Sequence, residues 1–315
     1  IITQNYLKYF LFLILMITLT FLGTSSMLPT KERNHSSALI QYQNEGIMID
    51  CGEGVQRQLK IAQISPCKLT RLLITHFHGD HVLGIPGLLQ SLVANNYQKT
   101  LQIYGPRGTK KYIRYMFKGF VFKEFRRLKY EITELNSTKI FYKNKNFSLK
   151  CANVNHAIPT LMYSFTENDK LRINLDYLKK FGLKMHPLLG KLQQGKNIIY
   201  KGKKITAEKA TIKRPGKKIT LITDSAPSPT LAKFAKNSDL LVCESTWSSH
   251  MNHLVEKRKH LTSRHAAEIA KKSNSKKLIL THFSQRYKTL DEMLKEAKAV
   301  FKNTELAKDF MKIEL

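Results

Sequence analysis

Acidic residues are scarce in this chain. Only 23 Asp and Glu stand against 53 Lys and Arg in 315 residues, a formal charge of +30 at pH 7. So lopsided a surface points to a polyanionic partner, nucleic acid first and an anionic membrane second. Lys outnumbers Arg 41 to 12, so part of the excess can also be a general Lys bias that merely coats the surface. Cysteine is sparse as well. Cys51, Cys67, Cys151 and Cys243 are scattered, with no C-x-x-C pair. That argues against a disulfide framework and suits reduced thiols in a cytoplasmic protein. Low-complexity tracts and short-period repeats are missing. Long hydrophobic runs are missing too: residues 10–22 are almost wholly apolar behind Lys8, like a signal peptide or anchor, but fall short of the ~20 residues that span a bilayer. Residues 16–24 alternate as a first β-strand does, and the chain begins at Ile1. Residues 1–15 are therefore expected to be an upstream extension, Met16 the natural start, and no membrane a partner.

What is present is the composition of a globular protein, 42% apolar and 10% aromatic. Residues 36–43 and 46–50 read as a hairpin over the turn 43–46. Residues 54–64, 82–94 and 108–116 read as helices, and 69–75 and 101–104 as strands. Several short strands are expected between 129 and 155. Buried strands at 219–223, 240–244 and 278–281 alternate with helices near 229–236, 262–273 and 290–301. Alternating strands and helices imply a layered α/β fold. Residues 160–218 break that rhythm: they carry 15 Lys or Arg against 4 Asp or Glu, a net of +11, with few apolar residues. This stretch is expected to be an inserted, protruding basic arm rather than part of the core.

The densest chemistry lies at Thr75-His76-Phe77-His78-Gly79-Asp80-His81. Three imidazoles and a carboxylate follow an apolar run that reads as a buried strand, and these are the ligand types of zinc and similar divalent ions. His76 and His78 suit one ion, Asp80 and His81 a second. One loop does not complete a two-metal site, and three later strand ends each offer one more ligand: His156, Asp224 and His282. Strand ends are where sites of α/β folds collect. Five His and two Asp suffice for two zinc ions with one bridging carboxylate. His35 reads as a loop residue, and His265 as a surface or packing residue. His250 and His253 are placed near Trp247, lining the cleft.

The loop H-x-H-x-D-H resembles the signature of the metallo-β-lactamase superfamily. Along the chain the motifs resemble one branch of it, the ribonuclease Z family. Asp50-Cys51-Gly52-Glu53-Gly54-Val55-Gln56-Arg57-Gln58 is similar to that family's D-C-G-E-G-x-Q-R-Q run. His156-Ala157-Ile158-Pro159-Thr160 resembles its third metal motif, Cys243-Glu244-Ser245-Thr246 its H-E-A-T segment, and His260-Leu261-Thr262 its H-S-T segment. Thr281-His282-Phe283-Ser284-Gln285-Arg286-Tyr287 is close to its last metal motif. The chain departs at Cys243, where the family often has His, and at Met185-His186-Pro187, where a Gly-Pro pair marks the family's arm tip; His186 reads as an arm surface residue.

The resemblance implies a four-layer αββα sandwich over 16–315 with an inserted arm, and an endoribonuclease that trims the 3′ trailer of precursor tRNA. It further implies two zinc ions, one on His76, His78 and His156, the other on Asp80, His81 and His282, with Asp224 bridging. Asp80 is then the base, and His260, positioned by Glu244, the acid. Arg286, Lys191, Lys180 and Lys184 become candidate substrate contacts, and a homodimer is expected. Two other classes compete: a hydrolase of small phosphate or sulfate esters on the same fold, and a non-catalytic RNA-binding member.

Overall fold

The computed structural model describes residues 16–120 and 127–315, so the expected extension at 1–15 lies outside the described residues. The strands, in chain order, are β1 (Ile17–Gly23), β2 (Ser37–Tyr42), β3 (Glu45–Ile49), β4 (Arg71–Leu73), β5 (Leu101–Pro106), β6 (Tyr130–Leu135), β7 (Lys139–Lys143), β8 (Phe147–Val154) and β9 (Thr160–Glu167). They continue as β10 (Lys170–Ile173), β11 (Ile198–Tyr200), β12 (Lys203–Ile205), β13 (Thr211–Arg214), β14 (Lys218–Ile222), β15 (Leu240–Glu244), β16 (Leu278–Thr281), β17 (Thr304–Leu306) and β18 (Lys312–Glu314). Two seven-stranded sheets result, ordered β18-β1-β2-β3-β4-β5-β6 and β17-β16-β15-β14-β9-β8-β7. Residues 304–314 thus give one edge strand to each sheet.

The period of two along the strands decides the packing. Ile17, Leu19 and Phe21 of β1, with Ile40, Tyr42, Ile47 and Ile49, meet Phe147, Leu149, Tyr163, Phe165, Ile219 and Leu221 between the sheets. The other face of the first sheet, including Leu39, Met48, Leu72 and Ile103, packs under helices Val55–Ile61, Ile85–Ala94 and Thr109–Gly119. The other face of the second, including Ile222, Leu241, Cys243 and Leu280, packs under helices Pro229–Ala235, Ser263–Lys272 and Asp291–Val300. The result is the expected four-layer αββα sandwich. Each large apolar side chain buried here contributes roughly 1.5–3 kcal/mol. Among the described residues no helix is long and apolar enough to cross a membrane.

Three expectations change in detail. The helix expected over 82–94 is two, Gly79–Val82 and Ile85–Ala94. The break is Gly84, where a Cβ would collide with the carbonyl oxygen of Gly52. The basic insertion is narrower than 160–218, because β9 and β14 are hydrogen-bonded neighbours inside the second sheet. It leaves after Glu167 and returns at Lys218. It also has a core of its own: the antiparallel pair β10–β13 forms a stem, and Leu178, Leu183, Leu192, Ile198, Ile205, Ala207 and Ala210 are buried beyond it. Finally, His35 is a loop residue as expected, but it is buried and bridged to Ser25.

Candidate metal centre

Strand direction brings the ligands together. β14, β15 and β16 are parallel, and β9 is antiparallel to both β14 and β8, so β8 runs with β14. The C-terminal ends of β8, β14, β15 and β16 therefore share one edge, and His156, Asp224, Glu244 and His282 stand on or just past them. The loop after β4 reaches this edge from the facing sheet. It is tied down where Leu161 N–H donates to Thr75 O at 3.0 Å and Tyr163 Oη to Ile74 O at 2.7 Å. His282 takes a left-handed φ of 62°, a conformation uncommon outside glycine that collects at functional sites.

All seven expected ligands converge. One ligand atom from each of His76, His78, His156 and Asp224 lies within 4.8 Å of the others, and so do those of Asp80, His81 and His282. A third such group, Asp224, His260 and His282, overlaps both. His76 Nε2 is 3.0 Å from His78 Nδ1, His156 Nε2 is 3.2 Å from the same atom, and His81 Nε2 is 3.3 Å from His282 Nε2. Imidazole nitrogens turned on one another present lone pairs to a common point. Asp224 Oδ1 is buried within 3.2 Å of His282 Nε2 and 3.5 Å of His81 Nε2, yet hydrogen-bonded to neither. A buried carboxylate oxygen without a partner is costly. Bound cations would satisfy both features, so the donor set fits divalent metals.

The far side of each ring explains why it points inward. His81 Nδ1 faces Asp50 Oδ2 at 2.7 Å, His156 Nδ1 faces Lys259 O at 3.0 Å, His282 Nδ1 faces Thr246 Oγ1 at 2.9 Å, and His76 Nδ1 faces Thr75 Oγ1 at 3.0 Å. Each partner leaves Nε2 free, the usual arrangement around ligating histidines; His78 alone turns Nδ1 inward. Asp50 also accepts from Thr75 N–H at 2.7 Å and Thr75 Oγ1 at 2.8 Å. The positioning roles of Asp50 and Thr246 are absent from the sequence reading, although Asp50 opens the D-C-G run and Thr246 closes the C-E-S-T segment.

Charge in the cluster is tightly linked. Burial lowers His76 to about 4, with His81 adding to the effect. Burial raises Asp224, but His282 and His81 hold it well below the carboxylate range; Asp80 is held down likewise by His81 and His282. His260 stands at the rim. Its Nδ1 lies 3.2 Å from Glu244 Oε1 and 3.8 Å from Asp224 Oδ2. Burial lowers this ring, but Glu244 and Asp224 outweigh burial and push it up to about 9. Glu244, fully buried, also accepts from Ser225 N–H, Leu261 N–H and Thr246 Oγ1.

The remaining expected residues fall elsewhere. Arg286 is exposed, its guanidinium 4.6 Å from the Trp247 ring centre, and Trp247 lies 6.2 Å from the His260 ring. Lys180, Lys184, Lys191 and His186 are exposed on the arm. His250 is exposed and paired with Glu292 at 2.6 Å. His265 closes a capping box with Thr262. Cys243 is buried under the outer helices, and burial pushes its thiol up.

Comparison with known proteins agrees with this geometry. A family model described as anti-Pycsar protein Apyc1 matches residues 17–209, which hold His76 to His156 but stop before Asp224. Ribonuclease Z of Methanothermobacter thermautotrophicus is 36% identical over 302 residues, covering 95% of this chain and 97% of its own. Ribonuclease Z of Prochlorococcus marinus (strain MIT 9301) is 37% identical over 314 residues, covering 94% and 99%. The short form of human tRNase Z matches as a structure with a TM-score of 0.69 at 26% identity, covering 94% and 98%. The Bacillus subtilis metallo-β-lactamase fold protein YhfI, at 19% identity and a TM-score of 0.69, shares the fold. With the four-layer sandwich, the converging His and Asp cluster and relatives matched along almost their whole length, the chain belongs to the ribonuclease Z family of endoribonucleases.

Proposed function

We propose that this endoribonuclease is zinc-dependent and removes the 3′ trailer from precursor tRNA, leaving a 3′-hydroxyl on the tRNA and a 5′-phosphate on the trailer. One observation carries the reading. Seven His and Asp ligands converge at one sheet edge in a chain 36% identical, over 97% of that relative's length, to a ribonuclease Z. The +11 arm supports a large polyanionic substrate. The human relative named tRNase Z supports tRNA among polyanions.

His76, His78 and His156 would hold one zinc ion and Asp80, His81 and His282 the other, with Asp224 shared; the two groups of ligand atoms support that division. When bound, two such ions would supply an ionised water near neutral pH and charge neutralisation for the phosphate. Asp80 takes the proton of the attacking water. His260 gives a proton to the departing 3′ oxygen, its Nδ1 held by Glu244 so that Nε2 serves the substrate. Lys180, Lys184 and Lys191 on the arm contact phosphates at a distance from the cut, and Arg286, beside Trp247, contacts the substrate nearer to it. The working form is a cytoplasmic homodimer in which each arm reaches tRNA bound at the other subunit's site.

The test is end-mapping of products from a 3′-extended tRNA with added zinc. A single cut at the tRNA 3′ end, with a hydroxyl on one product and a 5′-phosphate on the other, is expected. Turnover of aryl phosphate or sulfate esters with no cut in the tRNA would overturn the reading in favour of a small-ester hydrolase.

A further inference from the structure

A groove of about 460 Å³ opens directly beside His78. Its walls include Phe77 from the metal loop, Arg107 from the end of β5, Tyr112 and Tyr115 from the helix Thr109–Gly119, and Pro159. Tyr112 and Tyr115 are three residues apart and so share a helix face. They are 42% and 55% exposed. The Phe77 and Tyr112 rings lie 4.7 Å apart, tilted by 40°. Lys111 Nζ lies 5.9 Å from the Tyr112 ring centre and 5.7 Å from that of Tyr115. The helix start itself is already satisfied, because Glu134 Oε1 accepts from Gly108 N–H and Lys110 N–H. What the groove offers is therefore aromatic face, with Arg107 in its wall and Lys111 close to two of its rings. Exposed aromatic surface continuous with a reactive centre marks recognition rather than packing.

We infer that this groove is a stacking subsite for a nucleobase, and that it takes the first nucleotide of the trailer. The inference rests on the tRNA 3′-processing reading above. The side is assigned from the proposed roles: His260, which would serve the departing 3′ oxygen of the tRNA, does not line the groove, whereas His78 does. The nucleotide it receives is the one that keeps the phosphate. Aromatic faces with flanking Lys or Arg bind any base and lack a fixed pattern of hydrogen-bond partners. The subsite thus tolerates every trailer sequence and favours purines, whose stacking area is larger.

Four substrates and three proteins test it. The substrates are 3′-extended tRNAs with a purine, a pyrimidine or an abasic residue at the first trailer position, and one with the abasic residue at the last tRNA position. The proteins are wild type, Tyr112→Ala and Tyr112→Trp, each with its zinc content measured. The abasic trailer should lower kcat/KM of the wild type about tenfold, the scale of one base–aromatic stack. Tyr112→Ala should lose about as much on the purine substrate. The two changes together should lose no more than either alone, with zinc content unchanged and Tyr112→Trp close to wild type. Additive losses overturn the subsite, as does coupling of Tyr112 to the last tRNA position instead. A change in oligomeric state of Tyr112→Ala that accounts for its loss also overturns it, assigning the groove to a second copy of the chain. A wild type that cuts no extended tRNA refutes the proposed function; a wild type that cuts but ignores both changes refutes only the subsite.

Discussion

The metal edge and the arm are built on opposite terms. At the edge, His76, His81, Asp224, Glu244 and His282 are each no more than 3% exposed, and every ring is aimed by a named partner. On the arm, Lys180, Lys184 and Lys191 lie in solvent over a small core of Leu178, Leu183, Leu192, Ile198 and Ile205. Bond-breaking needs a few groups fixed to fractions of an ångström. Holding a polyanion needs many weak contacts whose sum matters and whose individual geometry does not. The two regions should therefore fail differently when damaged.

The largest effect is expected at the edge. Asp224→Ala removes the carboxylate common to two ligand groups; metal analysis should show loss of bound zinc, and no tRNA cleavage should be detectable. His260→Ala should slow cleavage by ~10²–10⁴ while zinc stays near two per chain. Loss of zinc in that variant would make His260 a ligand, as its membership of the third ligand-capable group allows. Excising the arm tests the other region. Ile173 and Thr211 are paired in the stem, so residues 174–210 can be replaced by a short Gly-containing turn. Cleavage of precursor tRNA should then fall on the order of a hundredfold or more, while hydrolysis of a small aryl phosphodiester is retained. Equal loss of both activities would make the arm structural and erase the contrast. Asp50→Asn keeps the shape but weakens the hold on His81; zinc affinity by competitive chelation should drop roughly 10–100-fold. The smallest effect belongs to one arm lysine. Lys180→Ala should weaken tRNA binding modestly and reduce the slope of log affinity against log salt by about one.

The same contrast governs what was legible in the sequence. The converging His and Asp residues could be read because metal chemistry would restrict its ligands to such types at strand ends, and strand ends follow apolar runs. Their supports could not. Asp50 meets His81 across 31 positions and Thr246 meets His282 across 36, and no local pattern joins an acid or a hydroxyl to a ring that far away. The arm's interior was missed for another reason. Its buried residues are spread thinly among lysines, with Ala207 and Ala210 filling the rest, so no periodic stripe forms. Its near boundary was in fact readable: Leu161, Tyr163 and Phe165 alternate as β9, but the charge count over 160–218 hid them. The break at Gly84 depends on the Gly52 backbone, a contact made only by folding.

The edge strands β17 and β18 have a consequence for association between chains. Ala307 N–H bonds to Leu280 O beside one sheet, and Phe310 N–H to Phe21 O beside the other. Asp309 between them accepts from Thr24 Oγ1, Asn34 N–H and Gln58 Nε2. A chain that stopped at residue 303 would have every expected ligand but would expose β1 and β16, covered here by β18 and β17, as sheet edges, which invite pairing with other chains. Removing residues 304–314 should therefore favour association between chains, read as light scattering of the truncated protein, over a mere weakening of the enzyme.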